Sequence, residues 1–393
     1  MGALAIVAVC IVAYSLAAKR LEALNITGPI VFIVAGIVVN LPAFSLTSPG
    51  TATTGLRITS VLTLTLLLFD DASTVDLAAL RRDAAFPLRL LLIGLPLTVA
   101  LGTAVARGIL PPAGVGIAAL IAAILAPTDL SLGLAMFAND KVPDRVRRAI
   151  NVESGLNDGI AAPLVAVFTA LAIAEFDQSS YPLVEAVREI GIGTIAGALV
   201  GVTGAWLLVR SLKASWSSGA SRQFATAALA VLAYVASTAL HGNGFIAAFV
   251  GGLAFGAVAK RDAVESAEFA EEAGTLLSLA VWFMFGTSLL PALKAAGWTW
   301  QPIAYAALSL TVIRMVPVAL ALIGSKTHGS TKLFVGWFGP RGLASVVFLL
   351  QAIDALKAAG VDTTMLAATV AWTILGSVVL HGASAAGVAA WYS

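Results

Sequence analysis

Apolar residues in this chain run in long blocks separated by short polar breaks, with no sustained alternation of the kind a half-buried strand shows. Roughly thirteen blocks match the length needed to cross a hydrocarbon core of about 30 Å. They lie near residues 2–18, 27–41, 55–70, 86–107, 114–138, 150–174, 187–210, 223–240, 244–259, 273–292, 301–324, 332–354 and 363–390. The second, eighth and ninth are short enough to merge or tilt. The pattern predicts an all-α polytopic membrane protein, with residues 1–393 as a single transmembrane domain and no linker longer than about fifteen residues. The first block is followed by Lys19 and Arg20 and lacks a small-residue cleavage pattern, so it is read as a retained helix.

Composition agrees. With 59% hydrophobic and 11% charged residues, the chain is too apolar for a soluble globule. A single cysteine, Cys10, excludes a disulfide framework and a Cys-based metal site. The net charge of +2 is spread over loops, which leaves membrane lipid rather than nucleic acid as the surroundings. The cations themselves are unevenly placed. Arg81, Arg82, Arg145, Arg147, Arg148, Arg210, Lys213, Lys260 and Lys332 fall on one side of the alternating spans, whereas Arg57, Arg107, Arg188, Lys294 and Lys357 fall on the other. The positive-inside rule then sets the N-terminus outside and the C-terminus in the cytoplasm, in the plasma (inner) membrane.

Two spans seven apart share an unusual centre: "LAPTDLS" at 125–131 and "FGPRGLA" at 338–344. Each sets a proline beside a charge amid small residues, and proline removes a backbone donor, so both spans are candidates for interruption. An odd offset reverses the direction of crossing. Inverted repeats of about 1–174 and 223–390, joined by a helix at 187–210, would follow, the architecture in which paired broken helices form a midplane site.

The ionisable residues left at depth are Asp129, Glu153, Asp158, Arg314 and Arg341, with Asp70, Asp71 and Arg89 near helix ends. A charge at the bilayer centre costs about 2.5–3.5 kcal/mol on insertion scales, so each needs a partner or a wet cavity. Within "NVESGLNDGIAAP" (151–163), Glu153 and Asn157 share one helix face and Ser154 and Asp158 the adjacent one. A hard monovalent cation takes oxygen ligands, which Asp158, Ser154 and Thr128 offer. If Asp158 is ionised to hold the cation and protonated to return without it, proton and cation compete for one group and exchange follows. One titrating carboxylate implies one proton per cation and no net charge moved.

The combination of "ESGLNDG", "PTD" one span earlier and "GPRG" near the end resembles the cation:proton antiporter 1 family, the NhaP-like sodium/proton exchangers. The resemblance covers the whole chain. It implies thirteen helices in two inverted six-helix units, crossing broken helices five and twelve, a homodimer, alternating access and no cofactor. It makes Asp158 the ion- and proton-binding carboxylate and Asn157 its partner, where an electrogenic sister branch has a second Asp. It places Thr128 and Asp129 on the unwound fifth span. Leu130 stands where the family often has Pro, and the third-span acidic ligand is either Asp70 or Asp71.

Other roles stand beside these. Asn157 is read either as an ion contact or as a tie from the sixth helix to Thr128 or Asp129, and Glu153 as half of a buried pair with Arg314 rather than a ligand. Asp129 and Arg341 are read as offsetting partial charges at broken-helix ends, and Asp70 and Asp71 as facing a cytoplasmic funnel. His241, His328 and His381 are placed at helix ends or loops with no shared spacing, which argues against a metal site. Na⁺ is the expected cargo, with Li⁺ or K⁺ as alternatives that residue names do not separate. An enzyme is not expected: an intramembrane aspartyl protease using Asp129 and Asp158 would need a Gly-x-Gly-Asp pattern, and "GLND" stands there. A channel is the third reading.

Overall fold

The computed structural model describes residues 2–24, 26–41, 49–75, 85–110, 114–129, 142–176, 182–297, 299–325 and 327–392, and among these every regular element is a helix. In chain order they are α1 (Gly2–Ala23), α2 (Gly28–Val39), α3 (Pro49–Ser73), α4 (Ala85–Ile109), α5 (Val115–Ile124), α6 (Asp144–Phe176) and α7 (Pro182–Lys213). There follow α8 (Gly219–Ala239), α9 (Gly244–Ala259), α10 (Arg261–Ala296), α11 (Trp300–Ala321), α12 (Gly329–Trp337), α13 (Leu343–Ala358) and α14 (Thr364–Tyr392). The helices α4, α6, α7, α10, α11 and α14 are long and apolar enough to cross a membrane, and α2, α5 and α9 are shorter apolar helices.

Several helices outrun the apolar blocks that predict them. The sixth begins at Asp144 rather than 150, and the tenth at Arg261 rather than 273, so Glu271 is helical instead of lying in a loop. Intrahelical hydrogen bonding does not stop at the hydrocarbon boundary, and an acidic residue such as Asp144 in a first turn complements the helix dipole. The short eighth and ninth blocks stay separate: Asn243 Oδ1 accepts from the amides of Phe245 and Ile246 at 3.1 Å and starts α9 afresh. The second half of the fifth block, 130–138, lies outside the described residues.

Some helices are interrupted. Within α4 a π-helical turn covers Leu90–Gly94, just ahead of Pro96, which has no amide to donate. Within α11 the ladder breaks at Thr311 (φ −121°, ψ −92°). The twelfth block is divided outright, since α12 ends at Trp337 and α13 begins at Leu343.

Close helix approach depends on small residues. A methyl group on Gly197 or Gly201 of α7 would lie 2.3 Å or 2.2 Å from the carbonyl oxygens of Ala247 or Gly251 in α9. Gly36 of α2 and Gly286 of α10 are each closed in by the other's backbone, at Phe283 and Ile33, and Gly252 of α9 lies against the Phe69 carbonyl of α3. Packing of α3 on α10, where Gly274 meets Leu67, joins these pairs, and both α3 and α10 contribute to the lining of the site.

Candidate functional site

The fifth helix ends at Ile124, because Pro127 offers no amide and the stretch 127–129 runs on without helical hydrogen bonds. The interrupted stretch 338–342 lies across it. Asp129 N donates to Pro340 O at 2.8 Å, and Asp129 Oδ2 accepts from Leu343 N at 3.1 Å, so this carboxylate caps the N-terminus of α13. Arg341, fully buried, reaches the opposite kind of end: Nη1 donates to Ala126 O (3.1 Å) and Pro127 O (3.3 Å), and Nη2 to Ser309 O (3.3 Å), just before the break in α11. Ser345 Oγ donates to Ile124 O at 2.6 Å. Orphan carbonyls thus meet a cation and orphan amides meet an anion. Gly342 is forced by this crossing, since a methyl there would lie 1.9 Å from Asp129 Cβ.

Behind the crossing runs α6. Ser154 Oγ donates to Thr128 O at 2.7 Å, and Asn157 Nδ2 donates to Thr128 Oγ1 at 2.7 Å, so two side chains of α6 grip one residue of the unwound stretch. Glu153 and Arg314 form a bidentate pair at 3.0 and 3.1 Å, both buried.

In front of it opens a cavity of about 750 Å³. Asp158, Ser154, Thr128 and Asp129 line its more buried part together with Trp282, while exposed Arg145, Arg148 and Glu271 line it toward the surface. Asp70 and Asp71 both line the wall between. Asp71 faces α6 at Gly155, where an added methyl would lie 3.7 Å from its Cβ, and Asp70 keeps a buried Oδ1 without a hydrogen-bond partner. Asn157, Glu153, Arg314 and Arg341 do not line the cavity. Among the described residues no basic side chain lies within 4.0 Å of the Asp158 carboxylate.

Sequence reasoning missed part of this wall. Glu271, Thr275, Ser278 and Trp282 recur at helical spacing on α10 and face the cavity together. The signal is a polar stripe running into an apolar block, but Glu271 falls in the polar break between the blocks 244–259 and 273–292. His381 is a correction: it sits inside α14, buried, and not at a helix end. Arg89 of α4 donates to the carbonyls of Ile323 (2.5 Å) and Ala321 (3.4 Å) at the end of α11 and is not among the residues that line the cavity.

The chain is similar to several known proteins. The chain is 24% identical over 232 residues to the K(+)/H(+) antiporter NhaP2 of Shewanella oneidensis, covering 58% of this chain and 39% of that protein. It is 25% identical over 276 residues to the K(+)/H(+) antiporter NhaP of Alkalimonas amylolytica, covering 69% and 46%. Identity to the Na(+)/H(+) antiporter NhaS2 of Synechocystis is 27% over 244 residues, covering 58% and 42%. The matched part therefore spans less than half the length of these relatives. Among solved structures, the sodium proton antiporter MjNhaP1 of Methanocaldococcus jannaschii shares the fold, with a TM-score of 0.75 at 21% identity over 97% of this chain and 98% of that one. The model of the transmembrane sodium/hydrogen exchanger family matches residues 5–391, and the chain belongs to that family.

Proposed function

We propose that this chain is a secondary active transporter that exchanges a monovalent cation for a proton, electroneutrally and by alternating access, with Na⁺ as the cation. The observation that carries the reading is the isolation of Asp158. Glu153 is matched by Arg314, and Asp129 and Arg341 each meet a helix end, whereas Asp158 faces the cavity beside Ser154 with no basic side chain within 4.0 Å among the described residues. A carboxylate left this way is neutralised by binding either a cation or a proton. Thr128 and Ser154 supply further oxygens, Asn157 holds Thr128 in place, and Asp71 stands on the entry path nearer to α6 than Asp70 does.

Thirteen spans in two inverted units, about 1–174 and 223–390 around the helix at 187–210, belong to this proposal. They are supported by which helices pack together. Adding seven to the span number turns α2 into α9 and α3 into α10, and the packed pair α2–α10 then becomes the packed pair α9–α3. A homodimer in the plasma membrane, with the N-terminus outside and the cavity opening to the cytoplasm, completes the reading.

K⁺ as cargo is the second reading, favoured by the relatives named as K(+)/H(+) antiporters. A protease dyad is disfavoured by the capping role of Asp129, whose carboxylate is held by the Leu343 amide. The test is cation-driven proton flux in proteoliposomes, with Na⁺, Li⁺ and K⁺ supplied in turn. Flux with Na⁺ and without electrical current supports the proposal. Flux with K⁺ alone selects the second reading, current without coupled proton movement selects a channel, and silence with every cation refutes exchange.

A further inference from the structure

One buried titratable group plays no part in the exchange chemistry, and it bridges the two ends of the interruption between α12 and α13. His381 Nε2 lies 2.9 Å from Trp337 O, the last carbonyl of α12. A carbonyl only accepts, so Nε2 carries a hydrogen. On the other side of the ring Nδ1 lies 3.1 Å from Ser377 Oγ, and that same Oγ accepts the Arg341 amide at 2.6 Å. A directed chain results: Arg341 N–H to Ser377 Oγ, Ser377 O–H to His381 Nδ1, His381 Nε2–H to Trp337 O. A second proton on Nδ1 would be taken by Ser377 O at 3.0 Å, so the bond to Trp337 holds in either state of the ring. Ser384 adds a third point on the same face of α14, accepting from Trp337 Nε1 at 3.0 Å.

This clamp joins a carbonyl and an amide that the break leaves without helical partners. It also reaches the cavity. The stretch it holds contains Pro340, whose carbonyl receives Asp129 N, and Asp129 adjoins Thr128, the residue gripped by Ser154 and Asn157. We propose that His381, acting through Ser377 and the 338–342 stretch, is a positioning residue for the cation site, setting where Thr128 and Asp129 stand relative to Asp158. The inference rests on the exchange reading for its transport consequence, but the clamp itself is measurable without transport.

Two readouts test it on the full chain. In proteoliposomes the apparent KM for Na⁺ is measured for the parent, His381→Phe, His381→Gln, Ser377→Ala and Thr373→Val. Loss of one buried hydrogen bond sets the expected scale, a rise in apparent KM of about three- to tenfold for His381→Phe and for Ser377→Ala. The double variant should rise no further than the larger single effect, because both break one chain. His381→Gln, whose amide keeps a donor at the same reach, should return the value to within about twofold of the parent. Thr373 is a buried residue of α14 that bonds only its own helix, at Thr369 O. Its replacement should lower thermal stability without moving KM, which separates positioning from stability. The second readout is amide hydrogen exchange of Asp129, expected to quicken about tenfold in His381→Phe and Ser377→Ala. Unchanged exchange at Asp129, or an unchanged KM in a folded His381→Phe protein, overturns the inference. A parent without flux under any cation refutes the exchange reading instead, and the exchange of Asp129 still decides the clamp.

Discussion

Glu153 and Asp158 stand five residues apart on one helix, yet they occupy opposite electrostatic situations. Five residues turn an α-helix by about 140°, so the two carboxylates leave α6 in different directions. Glu153 points into packed protein and is closed off by Nη1 and Nη2 of Arg314. Asp158 points into the cavity and, among the described residues, pairs with no arginine or lysine. The same residue class is therefore closed off by a counter-charge in one place and left facing the cavity in the other, where the proposal puts the exchange. Their neighbours repeat the division: Asn157 is buried against Thr128, and Ser154, beside Asp158, touches the cavity while donating to the Thr128 carbonyl.

The largest expected effect removes the exchangeable charge. Asp158→Asn keeps the shape and loses the charge, so cation-driven proton flux should fall to background while the protein elutes and melts like the parent. Flux near the parental rate would move the exchange site elsewhere. Next comes the fixed charge. Glu153→Ala leaves Arg314 buried and unpaired, a loss of about 3–5 kcal/mol, seen as a lower Tm with apparent cation affinity nearly unchanged. Adding Arg314→Ala should recover part of it. A stable Glu153→Ala protein that binds cation poorly would erase the distinction between the two carboxylates. A smaller effect is expected from Asn157→Ala, which frees Thr128 Oγ1 and should weaken apparent cation affinity about three- to tenfold. The smallest is a null: with Asp158 alone exchanging, a potential set by valinomycin and K⁺ should not change Na⁺-driven proton flux. An uncompensated charge would feel about 2.3 kcal/mol per 100 mV, so a clear response would mean a second proton carrier.

Much of this arrangement is legible in the residues. Proline beside a charge in two apolar blocks marks Pro127 and Pro340, and helical spacing alone separates the face of Glu153 and Asn157 from that of Ser154 and Asp158. The hydrogen bonds that hold these residues are less legible, because they join positions far apart in sequence. Nothing in the spacing of Arg341 from Ser309, or of Ser345 from Ile124, shows that the breaks in three helices meet. Glu271 escaped notice for a different reason. Hydropathy marks only the apolar part of a helix, and α10 continues as a helix into polar sequence. The placement of His381 at a helix end or loop fails because a single histidine among small apolar residues carries no spacing signal; Trp337, which it bonds, and Arg341, which it reaches through Ser377, belong to another span.

Competition between a cation and a proton for Asp158 is the central claim, and proton release on cation binding measures it without a membrane or a gradient. Purified protein in weakly buffered detergent, held at a pH where parental exchange is active, is titrated with Na⁺ while free proton concentration is followed. The account predicts saturable release by the parent that disappears in Asp158→Asn and persists in Asn157→Ala at higher Na⁺ concentration. Release of parental size from Asp158→Asn would contradict it.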